Sequence, residues 1–249
     1  MQNPSMTDVC HLLDWDTGFF GVRIARLDRT APTAAELQDA LIWCETERIE
    51  CLYLLADAND PATTRLAEDA GFHLRDIRMT LARALAGSAA GLPPGIRTAT
   101  EGDIDGLARI AETSHTDSRF YYDPGFPREH CDALYRTWIE RSCRGYAQQV
   151  FVADHEGVAA GYITCHKDED AGRIGLLAVA EAARGGGLGS RLISAALQYF
   201  AASGFDQTTV VTQGRNTAAQ RLYIRHGFLP QSTEVWYHRW FRQPEQEHK

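Results

Sequence analysis

The sequence predicts a mixed α/β fold, a mainly antiparallel sheet flanked by helices, preceded by a smaller α/β unit. Three observations carry that expectation. From residue 95 onward the hydrophobic pattern runs helix, helix, three strands, helix, strand, helix, strand. The three consecutive strand-like runs are parted by short polar and glycine-containing breaks, which suit hairpins between antiparallel neighbours. Residues 51–72 also align without a gap on residues 207–228, so an apolar strand, a turn, a helix and a Gly-Phe exit occur twice.

In the repeated unit Ala62, Arg65, Leu66, Gly71 and Phe72 recur as Ala218, Arg221, Leu222, Gly227 and Phe228, while Ala67 stands where the later copy has Tyr223. This reads as a degenerate partial copy of the second domain, or as coincidence of a common strand–helix unit. Residues 84–95, ALAGSAAGLPPG, break the periodic pattern with small residues and Pro-Pro-Gly and are the linker candidate. The expected division is therefore a domain over 1–90 and a second over 95–249. In the second, Thr100-Glu101-Gly102-Asp103 reads as a capping box opening a helix over about 103–114, with Ile104, Leu107, Ala108 and Ala111 on one face. Pro127 suits the first turn of the next helix, which continues through Cys131, Leu134, Tyr135, Trp138 and Ile139. Strands follow at 149–153, 159–165 and 174–179, with breaks at Glu156-Gly157 and Asp168–Gly172. Leu188, Leu192, Ile193, Ala196, Tyr199 and Phe200 then share a helix face, and a strand at 208–212, a helix at 217–226 and a closing strand at 234–240 complete the order.

Composition sets the bounds. The 249 residues carry 25 Lys+Arg against 33 Asp+Glu, a formal net charge of −8, and 44% are hydrophobic. A chain of this size can bury about 70% of its extended surface, so no metal or disulfide staple is needed. No apolar run reaches bilayer length, and the first residues have neither a basic nor an apolar export region, so a cytoplasmic protein without a membrane partner is expected. The acidic balance without a Lys/Arg run argues against nucleic acid. Six scattered cysteines lack a C-x-x-C pair and read as reduced core thiols, and the nine histidines show no metal-ligand spacing.

The stretch Leu177 to Ser190 passes from a buried strand through Arg184-Gly185-Gly186-Gly187-Leu188-Gly189 into a helix. Glycines let a backbone approach a ligand, and the N–H groups at a helix start cradle a pyrophosphate; a flexible turn at a helix entry is the plainer alternative. A P-loop needs G-K-[ST], but Ser190-Arg191 follows Gly189. A dinucleotide fingerprint needs a third glycine or an alanine at 190 or 192, but Ser190 and Leu192 stand there. The pattern R-x-x-G-x-G does match, at Arg184, Gly187 and Gly189. It resembles the coenzyme A pyrophosphate loop of the GCN5-related N-acetyltransferases.

That resemblance implies the rest of the site. Asn216 opens the last helix at the place where the family has an asparagine near the pantetheine arm, and Tyr223, seven residues on, matches its thiolate-protonating tyrosine. Asn216 also suits a helix N-cap. The loop Arg184, Gly185, Gly186, Gly187, Leu188, Gly189 and Ser190 would hold acetyl-CoA, and backbone N–H groups at Leu177 and Val179 would face the reacting carbonyl. Further matches, Phe19-Phe20-Gly21, Ser118-Arg119-Phe120 with Asp123 and Phe126, Trp138-Ile139-Glu140 and Arg173 to Ala178, resemble the dTDP-fucosamine N-acetyltransferases over nearly the whole chain. These acetylate the 4-amino group of a dTDP-linked dideoxy sugar, so the implied partner is a small nucleotide-sugar amine, with a homodimer left open.

In such enzymes the connector between the first two helices lies on the acceptor side. Arg119 would take a phosphate, Tyr121 would stack on thymine and Asp123 would hold a sugar hydroxyl; a polar surface turn reads equally well. A direct attack of the amine in a ternary complex is expected, with His115, Glu112 and Asp117 as weak general-base candidates and Tyr223 as general acid. Cys165 and His166, adjacent on a strand, point to opposite faces and do not form a nucleophilic pair. Two other readings use the same motifs: an N-acetyltransferase for a polyamine, aminoglycoside or protein N-terminus, and a non-catalytic acyl-CoA sensor.

Overall fold

Apolar and β-branched runs become strands and the 3.6-period segments become helices, with turn residues setting the bounds. The computed structural model describes residues 9–85, 91–155 and 157–241. The elements are β1 (Cys10–Leu12), α1 (Asp14–Phe20), β2 (Ile24–Leu27), α2 (Ala34–Thr46), β3 (Cys51–Asp57), α3 (Pro61–Asp69) and β4 (His73–Ala84). They continue as β5 (Ile96–Thr98), α4 (Ile104–Ser114), α5 (Arg128–Arg141), β6 (Gln149–His155), β7 (Val158–Asp168), β8 (Ala171–Val179), α6 (Leu188–Ala202), β9 (Gln207–Gln213), α7 (Thr217–Arg225) and β10 (Leu229–Trp240).

The chain divides into two compact units that do not follow chain order. One holds the described residues up to Arg78, Ser118–His130 and those from Thr233; the other holds Met79–Asp117 and Cys131–Ser232. The expected linker at 84–95 includes residues 86–90, which lie outside the described residues, as do residues 1–8 and Glu156 of the first hairpin break.

In the second unit the strand order is β4-β9-β8-β7-β6-β5. The pairs β5/β6, β6/β7 and β7/β8 are antiparallel and β8/β9 is parallel, the mixed, mainly antiparallel sheet that the hairpin breaks imply. Leu192, Ile193, Ala196 and Phe200 of α6 pack with Phe151, Ile163, Ile174 and Val210. Gly172 is required at that contact, because a β-carbon there would come within 2.4 Å of the Phe200 ring. The capping box forms: the Thr100 N–H donates to Asp103 Oδ2 at 2.7 Å, and Arg97 binds the same carboxylate and Asp154. β10 starts five residues before the expected Glu234, since Leu229 to Ser232 are exposed and carry no burial alternation.

In the first unit the order is β1-β2-β3-β10, with β1/β2 antiparallel, β2/β3 parallel and β3/β10 antiparallel. Leu37, Ala40 and Cys44 of α2 pack on Ala25, Leu52, Leu54, Ala56 and Tyr237.

The two repeated segments have equal elements. β3 and β9 are both 7 residues, α3 and α7 both 9, and β4 and β10 both 12. Gly71 and Gly227 end their helices at the same left-handed φ of 78°, and the Phe72 and Phe228 N–H groups bond back to Ala67 and Tyr223. Among the described residues all six cysteines are free, and all but Cys143 are buried. No described helix is long and apolar enough to cross a membrane, and no group of three or more His, Cys, Asp or Glu among the described residues is placed to hold a metal.

Candidate active site

The glycine loop takes its shape from two residues in the left-handed region, Gly185 at φ 84° and Gly187 at φ 75°. Gly187 is the N-cap of α6 and offers no side-chain acceptor, so N–H groups of the first helical turn are left for another partner. With the positive end of the helix dipole behind them, they form an anion cradle. Gly189 serves a different purpose, since a β-carbon there would lie 3.1 Å from Leu222 Cδ2. Arg184 ties the loop to the sheet by donating from Nε to the Val179 carbonyl at 3.1 Å.

This loop forms one wall of a cavity of about 490 Å³. Leu177, Val179, Arg184, Gly185, Gly187, Leu188, Gly189, Ser190 and Asn216 all line it, which brings together nine residues drawn from three separate segments. Ala178, Ala183, Ala218, Ala219, Leu222, Arg225, Ser114 and Asp117 complete the wall. Gly186 and Tyr223 are not lining residues. Gly186 has no atom within 3.4 Å of a virtual β-carbon, and its φ requires no glycine.

The strand contribution follows from hydrogen-bond phase. The Ala180 N–H donates to the Ala160 carbonyl at 2.8 Å, and the register then places Tyr162 opposite Ala178 as the next bonded pair. Leu177 and Val179 therefore turn their N–H groups away from β7. On that other side β9 pairs with β8 only at Gly172–Ile174, against Thr208–Val210, so past Ile174 the described strands part. Two backbone donors face a gap that opens onto the cavity, the arrangement that stabilises a developing oxyanion.

On α7, Asn216 caps the helix by accepting from the Ala219 N–H at 3.0 Å. Tyr223 is 4% exposed with its ring edge against Phe228, next in sequence to the wall residue Leu222. Burial pushes its phenol above the usual tyrosine range, so the group is a proton donor at neutral pH.

Of the base candidates, Glu112 is held by Arg136 at 2.9 Å. His115 bonds the Tyr162 hydroxyl at 2.9 Å and stacks on Tyr135, and burial holds its imidazole down at about 4. Asp117 is the one of the three that lines the cavity.

Arg119, Tyr121 and Asp123 do not line this cavity and belong to the other compact unit. There the Arg119 guanidinium lies 4.1 Å from the Trp236 ring and 5.0 Å from that of Tyr53. Arg128 covers the Tyr121 ring at 4.4 Å. Asp123 is 2% exposed, and its carboxylate accepts from His238 Nδ1 at 2.5 Å, Trp240 Nε1 at 3.0 Å and the Gly125 N–H at 3.0 Å. The expectation that Asp123 holds a sugar hydroxyl thus meets a buried carboxylate that already carries three donors and has the Arg75 guanidinium 3.3 Å away. Sequence reasoning did not single out Ser114, Arg225 or the α7 face at Ala218, Ala219 and Leu222. The spacing 218, 222, 225 along one helix face was the available signal.

Comparison with known proteins places the chain among acetyltransferases. Residues 111–228 match the model of the acetyltransferase (GNAT) family. The chain is 30% identical over 231 residues to the dTDP-fucosamine acetyltransferase of Escherichia coli O6:H1, covering 91% of this chain and 96% of that protein. It is 28% identical over 139 residues to the spore coat polysaccharide biosynthesis protein SpsD of Bacillus subtilis, covering 56% of this chain and 48% of that one. Among solved structures, a GCN5-related N-acetyltransferase from Sphaerobacter thermophilus superposes over 94% of this chain and 76% of its own, with a TM-score of 0.65 at 18% identity, a likeness of fold. A tandem GNAT protein from the clavulanic acid biosynthesis pathway superposes over 90% of this chain and 77% of its own, with a TM-score of 0.58 at 17% identity.

Proposed function

We infer that this chain, which belongs to the acetyltransferase (GNAT) family, moves an acetyl group from acetyl-CoA to the 4-amino group of a dTDP-linked amino-dideoxy sugar. The observation that carries the acceptor is the likeness to a dTDP-fucosamine acetyltransferase over 91% of this chain and 96% of that protein. The test is thiol release from acetyl-CoA with dTDP-4-amino-4,6-dideoxygalactose, set beside equal concentrations of spermidine, an aminoglycoside and a peptide amine. Preference for the nucleotide sugar supports the reading. Turnover with another amine alone replaces the acceptor and keeps the acyl-transfer chemistry, and no turnover with any of them points to an acyl-CoA sensor.

The cavity suits coenzyme A in its donor set. The uncapped start of α6 and the left-handed Gly185 and Gly187 would hold the pyrophosphate, and Asn216 with the α7 face would border the pantetheine arm. The bound thioester supplies the activated acetyl carbon. The amine nitrogen attacks that carbon, a C–N bond forms and the C–S bond breaks. Leu177 and Val179 N–H groups stabilise the oxyanion, and Tyr223 gives its phenolic proton to the departing thiolate. The proton lost by the amine goes to water or to Asp117, the carboxylate on the same wall.

The first unit reads best as a degenerate copy. Equal element lengths and equal helix exits from β3 to β4 and from β9 to β10 support a duplication. The helix start that matches the anion cradle is closed: α2, which precedes β3 as α6 precedes β9, has Thr33 at its N-cap and a capping box. There Glu36 accepts from the Thr33 N–H at 2.8 Å, which puts a carboxylate where a pyrophosphate would sit. The ladders correspond too: β2 pairs with β3 at Ile24–Arg26 against Cys51–Tyr53, three residues as in the parallel pairing of β8 with β9.

A further inference from the structure

The register between β7 and β8 slips once. Ile163 faces Leu177 and Cys165 faces Ile174, so Thr164 alone opposes both Gly175 and Leu176. Such a bulge inserts one residue and shifts the alternation of the strand beyond it, which decides which N–H groups face each side. Here the residues beyond it are Leu177, Ala178 and Val179.

Side chains hold the bulge. The Leu176 N–H donates to Thr164 Oγ1 at 2.8 Å, and that oxygen lies 3.1 Å from His166 Nε2. Thr164 is 0% and His166 6% exposed. Gly175 leaves them the room they occupy: a β-carbon on it would come within 2.5 Å of His166 Nε2 and 2.7 Å of Thr164 Oγ1. The imidazole also bonds the Tyr146 backbone, and the Tyr146 ring meets it edge-on at 5.4 Å. Burial, with the charge of Arg173 adding to it, keeps the ring neutral by lowering it to about 4. With its one proton directed to the Tyr146 carbonyl, Nε2 accepts from the Thr164 hydroxyl, whose oxygen in turn accepts from Leu176. Every donor and acceptor in the chain from Leu176 to Tyr146 then has a defined direction.

We propose that Thr164 and His166, seated over Gly175, clamp the β8 bulge and so aim the Leu177 and Val179 N–H groups into the strand gap, making them positioning residues for acyl transfer. The inference rests on the reading of that gap as the oxyanion site. Thr164→Val keeps shape and removes the hydroxyl; Thr164→Ser restores the hydroxyl. With acetyl-CoA and dTDP-4-amino-4,6-dideoxygalactose, Thr164→Val is expected to lower kcat by about 10²-fold, the size of losing one oxyanion donor, with KM for acetyl-CoA within two-fold. Thr164→Ser is expected to stay within about three-fold of the parent kcat, on the same donor logic. Amide hydrogen exchange gives an arm that needs no turnover: Leu176 should exchange as slowly as Ala178 in the parent chain and become fast in Thr164→Val while Ala178 stays protected. Unchanged kcat in Thr164→Val, equal loss in Thr164→Ser, or a fast-exchanging Leu176 amide in the parent overturns the clamp. If Thr164→Val does not fold, the parent exchange rate and the serine variant decide it. A parent chain that fails to acetylate this sugar while its Leu176 amide is protected refutes the acceptor and leaves the clamp standing.

Discussion

Gly189 and Leu222 bring α6 and α7 together: a β-carbon on the glycine would sit 3.1 Å from the leucine Cδ2, on the wall of the candidate coenzyme A cavity. The glycines of this loop thus have distinct duties, and substitution separates them. Gly187→Ala forces a side chain into the left-handed region at the α6 N-cap, at a cost of about 1–2 kcal/mol, and should raise KM for acetyl-CoA by about ten-fold. Gly189→Ala should raise it by a smaller factor, as Leu222 gives way. Gly186→Ala, with only an ordinary contact to the Ala183 carbonyl at 3.8 Å and no left-handed φ, should leave KM unchanged. Steady-state kinetics on the three variants checks the order, and equal effects at 186 and 187 would refute it.

Tyr223 is tested by its hydroxyl alone. Tyr223→Phe keeps the ring against Phe228 and removes the proton donor. We expect kcat to fall by about 10²-fold or more, with KM for acetyl-CoA little changed. Turnover equal to that of the parent would remove Tyr223 from the chemistry.

Much of the second unit could be read from the chain because its signals are local. The breaks at Gly157 and Asp168–Gly172 turn where hairpins need them, the capping box at Thr100 and Asp103 closes as spelled, and β9 and α7 fall within one residue of their expected ends. The motif residues Arg184, Gly187, Gly189 and Asn216 meet at one cavity because each sits at the end of a regular element whose period fixes its direction. What could not be read depends on contacts distant in sequence. Asp123 meets His238 and Trp240 across more than a hundred residues, and no local pattern distinguishes a carboxylate destined for that cluster from one on a surface turn. The early start of β10 was hidden for the opposite reason, because exposed Pro230, Gln231 and Ser232 have no buried face to report.

Binding stoichiometry tests the degenerate-copy reading. Glu36 and Thr33 close the start of α2, whereas Gly187 leaves that of α6 open. Calorimetric titration with coenzyme A should give one site per chain, and Gly187→Ala should weaken that single site. Two equivalent sites would show that the first unit retains a cradle.

The Asp123 cluster predicts a stability effect where the sequence suggested a substrate effect. The carboxylate carries the bond from His238, with Trp240 and Gly125 also donating, and it is paired with the Arg75 guanidinium at 3.3 Å in a sealed environment. Asp123→Asn removes its charge and forces one of those donors to face an amide N–H. The expected loss is about 3 kcal/mol, within the range for breaking a buried pair, read as a lower urea midpoint. A variant of parental stability with a raised KM for the sugar would instead make Asp123 a substrate contact.

Acid should unfold this chain through its buried histidines. Burial lowers His115, His166 and His238 from 6.5 to about 4, against the raising effect of the Asp123 bond in the case of His238. For each, the folded state binds a proton less readily than the unfolded one. The stability they contribute is therefore fully present above pH 6.5 and is lost as pH falls through the folded value near 4. Asp123 acts in the same direction at lower pH: burial raises its pKa, but the His238 bond and charge outweigh that and leave it below 3.8. Between pH 6.5 and 4 each histidine adds a slope of at most about 1.4 kcal/mol per pH unit. Urea midpoints measured from pH 8 to pH 4 should be flat down to about 6.5 and then fall, and His115→Gln should flatten part of that fall because glutamine has no proton to gain. A midpoint that holds constant from pH 7 to pH 4.5 would show that these imidazoles reach water in the folded chain.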